Sequence, residues 1–245
     1  MSYTVLARKY RPRNFSELVG QAHVVQALGN ALTTQRLHHA YLFTGTRGVG
    51  KTTVSRILAK SLNCVGADGQ GGITDQPCGV CQACVDIDQG RFVDYTELDA
   101  ASNRGVDEVQ QLLEQAVYKP VVGRFKVFMI DEVHMLTNTA FNAMLKTLEE
   151  PPEYLKFVLA TTDPQKVSDT IRSRTQHLQF RLLPAKELED HVRWVVQDAK
   201  LEVSAEAIRQ VVEQGAGSAR DTLSALELVV AGGGEAEVFV RPEDV

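Results

Sequence analysis

Eight residues constrain this chain more than any others. Gly45-Thr46-Arg47-Gly48-Val49-Gly50-Lys51-Thr52 fits the pattern G-x-x-x-x-G-K-[ST]. The apolar run Ala40-Tyr41-Leu42-Phe43 precedes it, and Val54, Ile57, Leu58 and Leu62 follow at helical spacing. A buried strand, a glycine loop and a helix are therefore expected in that order. Glycines let backbone N–H groups curl around an anion where side chains would clash. The helix that follows aims the positive end of its dipole at the same point. The loop reads as a phosphate cradle that ends at Thr53, with Lys51 on the β- and γ-phosphates and the Thr52 hydroxyl on Mg²⁺. Its rival is a glycine-rich turn that binds nothing.

The alternation continues downstream. Val93–Leu98 reads as a strand, 106–117 as a helix, Phe125–Ile130 as a strong apolar strand and Phe157–Ala160 as another. A first helix is expected over 21–33. Thr137 suits the cap of a helix that Pro151-Pro152 stops. Strands alternating with helices imply crossover connections and a mostly parallel sheet covered on both faces. After Phe180 the pattern changes to amphipathic helices at roughly 185–199, 204–214 and 218–230, with no strand between. The expectation is an α/β domain over 1–180, then a small all-α domain and the start of a linker over 181–245. The third helix ends at Gly232-Gly233-Gly234.

A second element makes the cradle chemically specific. Val127-Phe128-Met129-Ile130 ends in Asp131-Glu132. Two carboxylates at a strand's C-terminal end stand where an open parallel sheet binds ligands. Asp131 is placed to hold the Mg²⁺ shell and Glu132 to polarise an attacking water as general base. That suits hydrolysis of ATP better than phosphoryl transfer to a small molecule. Two solvated acids at a strand end are the plain alternative.

Charge and composition exclude other classes. The chain has 26 Lys+Arg against 31 Asp+Glu, so any nucleic-acid contact must be a local patch. No apolar run approaches the roughly 18 residues of a membrane helix, and Met1–Arg13 lacks the core of a secretory signal. Without export the four Cys are expected to be reduced. They fall as Cys64-x13-Cys78-x2-Cys81-x2-Cys84. Four thiolates close a tetrahedral Zn²⁺ site and leave no open position for water, a structural role. An iron–sulfur cluster, free thiols or disulfides are the other readings; the ferredoxin Cys-Pro is absent. The module is expected over about 64–84, inserted after the phosphate-loop helix. The six His include no pair with zinc spacing to the Cys.

Further motifs fall in a telling order. They are Leu145-Lys146-Thr147-Leu148-Glu149-Glu150-Pro151-Pro152, Ala160-Thr161-Thr162-Asp163, Ser173-Arg174, and Gly217-Ser218-Ala219-Arg220-Asp221. With Leu6-Ala7-Arg8-Lys9-Tyr10-Arg11-Pro12 and the four Cys, the chain resembles the AAA+ clamp-loader ATPases of the bacterial DNA polymerase III gamma/tau family. The likeness runs from Tyr3 to about Val230. One departure is Thr175, where the family usually has Cys after the arginine.

That resemblance implies roles which spacing alone does not show. Thr162 corresponds to the sensor-1 position near the γ-phosphate. Arg174 corresponds to an arginine finger acting in trans on a neighbouring subunit, and Arg220 to sensor 2 on the helical domain. Read without the family, both arginines suit surface ion pairs. Tyr10, Arg11, Pro12 and Val19 resemble the segment around the adenine. Ser102, Asn103 and Arg104, before a helix, resemble a DNA-facing segment; an ordinary helix cap fits them equally.

The resemblance further implies a cytoplasmic, nucleoid-associated bacterial motor, part of the DNA-directed DNA polymerase III holoenzyme and its nucleotidyltransferase function. Its partners would be other clamp-loader subunits, the sliding clamp and primed DNA bound through its backbone. The family continues into a third helical domain that holds its ring, so this chain is expected to associate weakly and hydrolyse ATP slowly alone. A non-hydrolysing scaffold subunit and a branch-migration helicase remain alternatives.

Overall fold

A computed structural model describes residues 4–102 and 105–233. The chain runs α1 (Leu6–Lys9), a 3-10 turn at Phe15–Glu17, α2 (Ala22–Thr34) and β1 (Ala40–Thr44). The glycine loop then leads into α3 (Lys51–Asn63), followed by α4 (Gln82–Asp88), β2 (Tyr95–Asp99) and α5 (Gly105–Glu114). β3 (Lys126–Asp131), α6 (Asn138–Glu149), β4 (Leu155–Thr161), α7 (Asp169–Arg172) and β5 (Gln176–Gln179) complete the α/β part. Three helices follow: α8 (Ala185–Asp198), α9 (Ala205–Gly215) and α10 (Ala219–Ala231).

The sheet has the order β2-β3-β4-β1-β5 and every pairing is parallel. Its apolar runs explain this, since β1 and β4 are buried at every residue and strands covered on both faces need no polar side. Alternate residues serve opposite layers. Tyr41, Phe43, Val127, Met129 and Val158 pack with α2 and α3. Leu42, Phe128, Ile130, Phe157 and Leu159 pack with α5 and α6. The register brings Asp99 beside Asp131 and Thr44 beside Thr161. The functional candidates thus share the C-terminal end of the sheet.

The last three helices bury a separate apolar cluster that includes Leu188, Val192, Ile208, Val211, Leu226 and Val229. Leu6 of α1 joins this cluster. Its backbone N–H donates to Glu227 Oε2 at 2.7 Å, and Tyr10 OH donates to Asp198 Oδ2 at 2.7 Å. The N-terminal segment is therefore fastened to the helices nearly two hundred residues downstream.

Several expectations shift in detail. The sheet is wholly parallel among the described residues, not mostly so. β5 carries no apolar run because only Leu178 of its four residues is buried; an edge strand of that kind leaves little periodicity to read. α4 lies within the cysteine stretch, and its burial of Cys84 and Ile87 was masked by the Cys spacing. Thr137 does cap α6, accepting from Ala140 N–H at 3.2 Å, and the helix ends at Glu149, before the two prolines. No helix of the described residues is long and apolar enough to cross a membrane.

Candidate nucleotide site and cysteine cluster

The glycine loop crosses from β1 to α3 with Gly45, Gly48 and Gly50 at φ of +147°, +76° and +107°. Two of these positions exclude a side chain twice over. A Cβ at Gly45 would meet Phe180 O at 2.8 Å, and one at Gly48 would meet Ser218 Oγ at 2.2 Å. Thr46 and Arg47 are exposed on the loop, whereas Val49 is buried in the core beneath it. Thr52 is half-buried and Thr53 buried.

Lys51 is only 7% exposed. Its ammonium donates to the carbonyls of Gly45 and Thr46, the latter at 2.7 Å. Burial lowers its pKa, while Asp131 and Glu132 nearby work to raise it. Burial raises the Asp131 carboxyl, with the Glu132 and Asp99 charges adding to the shift and the Glu132 backbone N–H and Lys51 opposing it. Asp131, Asp99, Glu97, Leu98, Met129 and Thr52 line a cavity of about 220 Å³. A carboxylate that is buried among other carboxylates fits a divalent cation, which would neutralise the excess charge. Thr52 supplies the hydroxyl on the opposite wall.

Glu132 has a left-handed backbone, φ +53°. This turn leaves the strand direction and folds the carboxylate back towards β4. There Oε1 accepts from Thr162 N–H at 3.3 Å, and Oε2 accepts from Thr162 Oγ1 at 3.0 Å. Thr162 therefore touches the second acid directly. His134 sits beside them, Nε2 lying 3.6 Å from Glu132 Oε2. In the sequence His134 is an isolated histidine after the acidic pair, which reads as structural; its only signal is its position two residues after Glu132.

The helical part reaches the loop through Ser218. Its Oγ donates to Gly48 O at 3.0 Å and accepts from Asp221 N–H at 3.1 Å. One hydroxyl thus caps α10 and ties it to the glycine loop. Arg220 follows, its side chain about half exposed and 3.7 Å from Asp221. Its charge is felt by both Lys51 and Arg11. Burial lowers the Arg11 pKa, with Arg56 adding to the effect and Glu97 opposing it. Tyr10 stacks edge-on to Trp194 of α8 at 5.5 Å, and Val19 packs on the same cluster. Pro12 is half-buried.

Two further expected positions have partners of their own. Arg174 pairs with Glu149 at 2.9 Å and donates to Thr170 O at 3.0 Å. Ser102 is exposed, and both its N–H and Oγ donate to Asp99 O, at 3.2 and 3.0 Å. Asn103 and Arg104 lie outside the described residues.

The four Cys converge, with all sulfurs within 4.8 Å of one another. Cys64 caps the C-terminus of α3, Cys81 precedes α4 and Cys84 lies in it, fully buried. Backbone amides already serve the sulfurs: Gly66 and Cys78 N–H point at Cys64 Sγ at 3.4 and 3.3 Å, and Cys81 N–H points at Cys78 Sγ at 3.2 Å. Burial pushes the Cys78 thiol up, but amides of Val80 and Cys81 outweigh it and bring it to about 7. Burial raises Cys64 and Cys84. Four converging sulfurs with amide donors fit a tetrahedral metal held by thiolates.

The family model described as DNA polymerase III, delta subunit, matches residues 20–184. DNA polymerase III subunit tau/gamma of Haemophilus influenzae is 50% identical over 233 residues, covering 95% of this chain and 33% of that protein. Subunit tau of Escherichia coli is 50% identical over 233 residues, with 95% and 36% covered. Subunit gamma/tau of Mycobacterium tuberculosis is 48% identical over 235 residues, with 95% and 40% covered. The chain thus spans little more than a third of the length of these relatives. A solved structure of the Thermotoga maritima RuvB Holliday junction branch migration motor superposes with a TM-score of 0.63 at 19% identity, covering 94% of this chain and 70% of that one. At that identity the likeness concerns the fold, which is the AAA+ arrangement. The chain belongs to the DNA polymerase III delta-subunit family, and over nearly its whole length it is similar to the tau/gamma subunits.

Proposed function

We propose that the chain is an ATP-binding and ATP-hydrolysing motor subunit of a bacterial clamp loader, which places the sliding clamp on primed DNA. The observation that carries the reading is the buried Lys51, held on the carbonyls of its own loop and facing Asp131 and Glu132. A buried lysine beside two acids at a helix N-terminus is an arrangement for gripping phosphates while a metal balances the acids.

Roles follow from position. Amides of Gly45–Lys51 cradle the phosphates, and Lys51 takes the β- and γ-oxygens. Thr52 and Asp131 would hold Mg²⁺, which on binding supplies charge neutralisation along the phosphates. Glu132 orients and deprotonates the attacking water, and Thr162 positions its carboxylate. Tyr10, Arg11, Pro12 and Val19 bound the base between the α/β part and the helices. Residues 1–180 form the ATPase domain. Residues 181–245 are assigned to a lid and the start of a linker; the apolar cluster of α8–α10 supports a separate helical unit, which Leu6 of α1 also joins. Arg220 rides on α10, whose cap is bonded to Gly48, so lid closure and phosphate contact are coupled. Arg174 acts in trans, leaving its exposed partner Glu149 when a neighbouring subunit arrives. Zn²⁺ on Cys64, Cys78, Cys81 and Cys84 cross-links the end of α3 to α4.

Ser102, Asn103 and Arg104 are assigned to the phosphates of primed DNA, with binding that weakens steeply with salt. The exposed apolar side chains Val117, Tyr118, Val121 and Val122 support assembly with protein partners. The deciding experiment titrates ATP turnover against sliding clamp and primed DNA with the full set of subunits. Turnover should rise with both and vanish in Lys51→Ala. Turnover indifferent to clamp and DNA would sink the loader reading, and absence of turnover with intact nucleotide binding would leave a scaffold subunit.

A further inference from the structure

We propose that His134 is a positioning residue for Glu132, with Thr161 setting which ring nitrogen carries the hydrogen. This rests on the reading of Glu132 as the group that activates water.

The local chain geometry builds the contact. After β3, Glu132 turns left-handed and Val133–Met135 forms a 3-10 turn. That turn places the His134 ring over the end of β4, with only 7% of the side chain exposed. Its Nδ1 lies 2.8 Å from Thr161 Oγ1. Thr161 is fully buried, and its Oγ1 accepts from Asp163 N–H at 3.0 Å. Nδ1 is the acceptor beside the threonine's own proton, and with that proton donated to Nδ1 the ring hydrogen is on Nε2. Nε2 is the atom that faces Glu132 Oε2 at 3.6 Å.

The carboxylate is thus flanked by two donors of different kind. Thr162 contacts it at 3.0 and 3.3 Å and draws it against β4. His134 stands beyond ordinary hydrogen-bond length, so it guides the carboxylate without locking it. A small rotation of Glu132 away from Thr162 exchanges one donor for the other. Thr161 reports on the phosphate loop as well, because its backbone oxygen accepts from Gly45 N–H at 3.3 Å. Asp163 N–H, Thr161 and His134 are therefore joined by hydrogen bonds, and the line ends with the His134 ring facing Glu132 across 3.6 Å.

The test compares nucleotide binding with turnover in the complete assembly with clamp and primed DNA. His134→Ala should lower kcat about 10- to 100-fold, the range of a misoriented reacting group, while the KM for ATP and the affinity for a fluorescent ADP analogue move less than twofold. His134→Gln, whose amide N–H replaces Nε2–H, should recover most of the loss. Thr161→Val should match His134→Ala, and the double variant should be no worse than either. A His134→Ala enzyme within twofold of normal kcat, or one that loses affinity and kcat together without rescue by Gln, overturns the proposal. Glu132→Gln separates the two readings. If it turns over normally, the role of Glu132 itself falls and this proposal with it; if it is inactive while His134→Ala is normal, only the proposal falls.

Discussion

One helix carries two sites of opposite design. α3 begins at Lys51 and is capped by Cys64, so its thirteen residues separate the nucleotide centre from the cysteine cluster by about 20 Å. The cluster draws every donor from 64–84, with three of the four Cys buried. The candidate nucleotide centre gathers Lys51, the Asp131-Glu132 pair, Thr162 and Ser218 from four distant places and leaves a cavity lined by Thr52, Asp99 and Asp131. A closed local site contributes stability and nothing else reaches it. An open distributed site holds charged groups away from water, which raises Asp131 and lowers Lys51, and a charged ligand with its metal would offset that desolvation.

The comparison breaks first at Lys51. Lys51→Ala should cut ATP turnover by about 10³-fold or more while the metal content of the chain, read by elemental analysis, stays unchanged. A loss of metal in this variant would show that the two ends of α3 are not independent. Arg174→Ala should reduce turnover of the full assembly by about 10³-fold yet leave nucleotide affinity intact. Its exposed pair with Glu149 is worth only about 0–1 kcal/mol, so thermal unfolding should barely move. A normal rate would remove Arg174 from the chemistry.

Cys84→Ser should act at the other end of the helix. The expected outcome is loss of bound metal and new protease cleavage within 65–77, with nucleotide affinity changed much less than the fold of the module. Equal losses at both sites would contradict the local character of the cluster. Proton counting sharpens the same point. Burial keeps Cys64 and Cys84 protonated near neutrality without metal, so adding metal to the chelated protein should release protons, and its affinity should climb with pH. An indicator dye that registers no release would argue against thiolate ligation.

The smallest effect is expected at Ser218. Ser218→Ala removes the cap of α10 and should cost about 1 kcal/mol. It also removes the bond to Gly48, so the KM for ATP should rise more than stability alone explains. A melting change with unaltered KM would reduce Ser218 to a helix cap.

Much of this was legible because certain chemistry is local. The glycine loop needs its residues in sequence, and the four Cys sit within 21 residues of one another. The Thr137 cap and the apolar strands also depend on neighbours only. β5 was illegible, since a polar edge strand with Leu178 as its one buried residue is held by pairing with β1 rather than by its own pattern. His134 was illegible for a similar reason. Nothing in its sequence position announces that a left-handed Glu132 turns its ring onto Thr161, twenty-seven residues later.

The amino-acid sequence by itself determined the strand–loop–helix cradle, the acid pair, the cysteine ligand set and the alternation of the α/β part. Short-range sterics, backbone hydrogen bonding and hydrophobic periodicity act between near neighbours, so residue order suffices to specify them. Only the tertiary structure decided that Thr162 and His134 flank Glu132, that Ser218 joins the helices to Gly48, and that α1 packs on α8–α10. Those contacts depend on the register of parallel strands and on which helix faces meet, and both are set by the packing of the whole core rather than by any one segment.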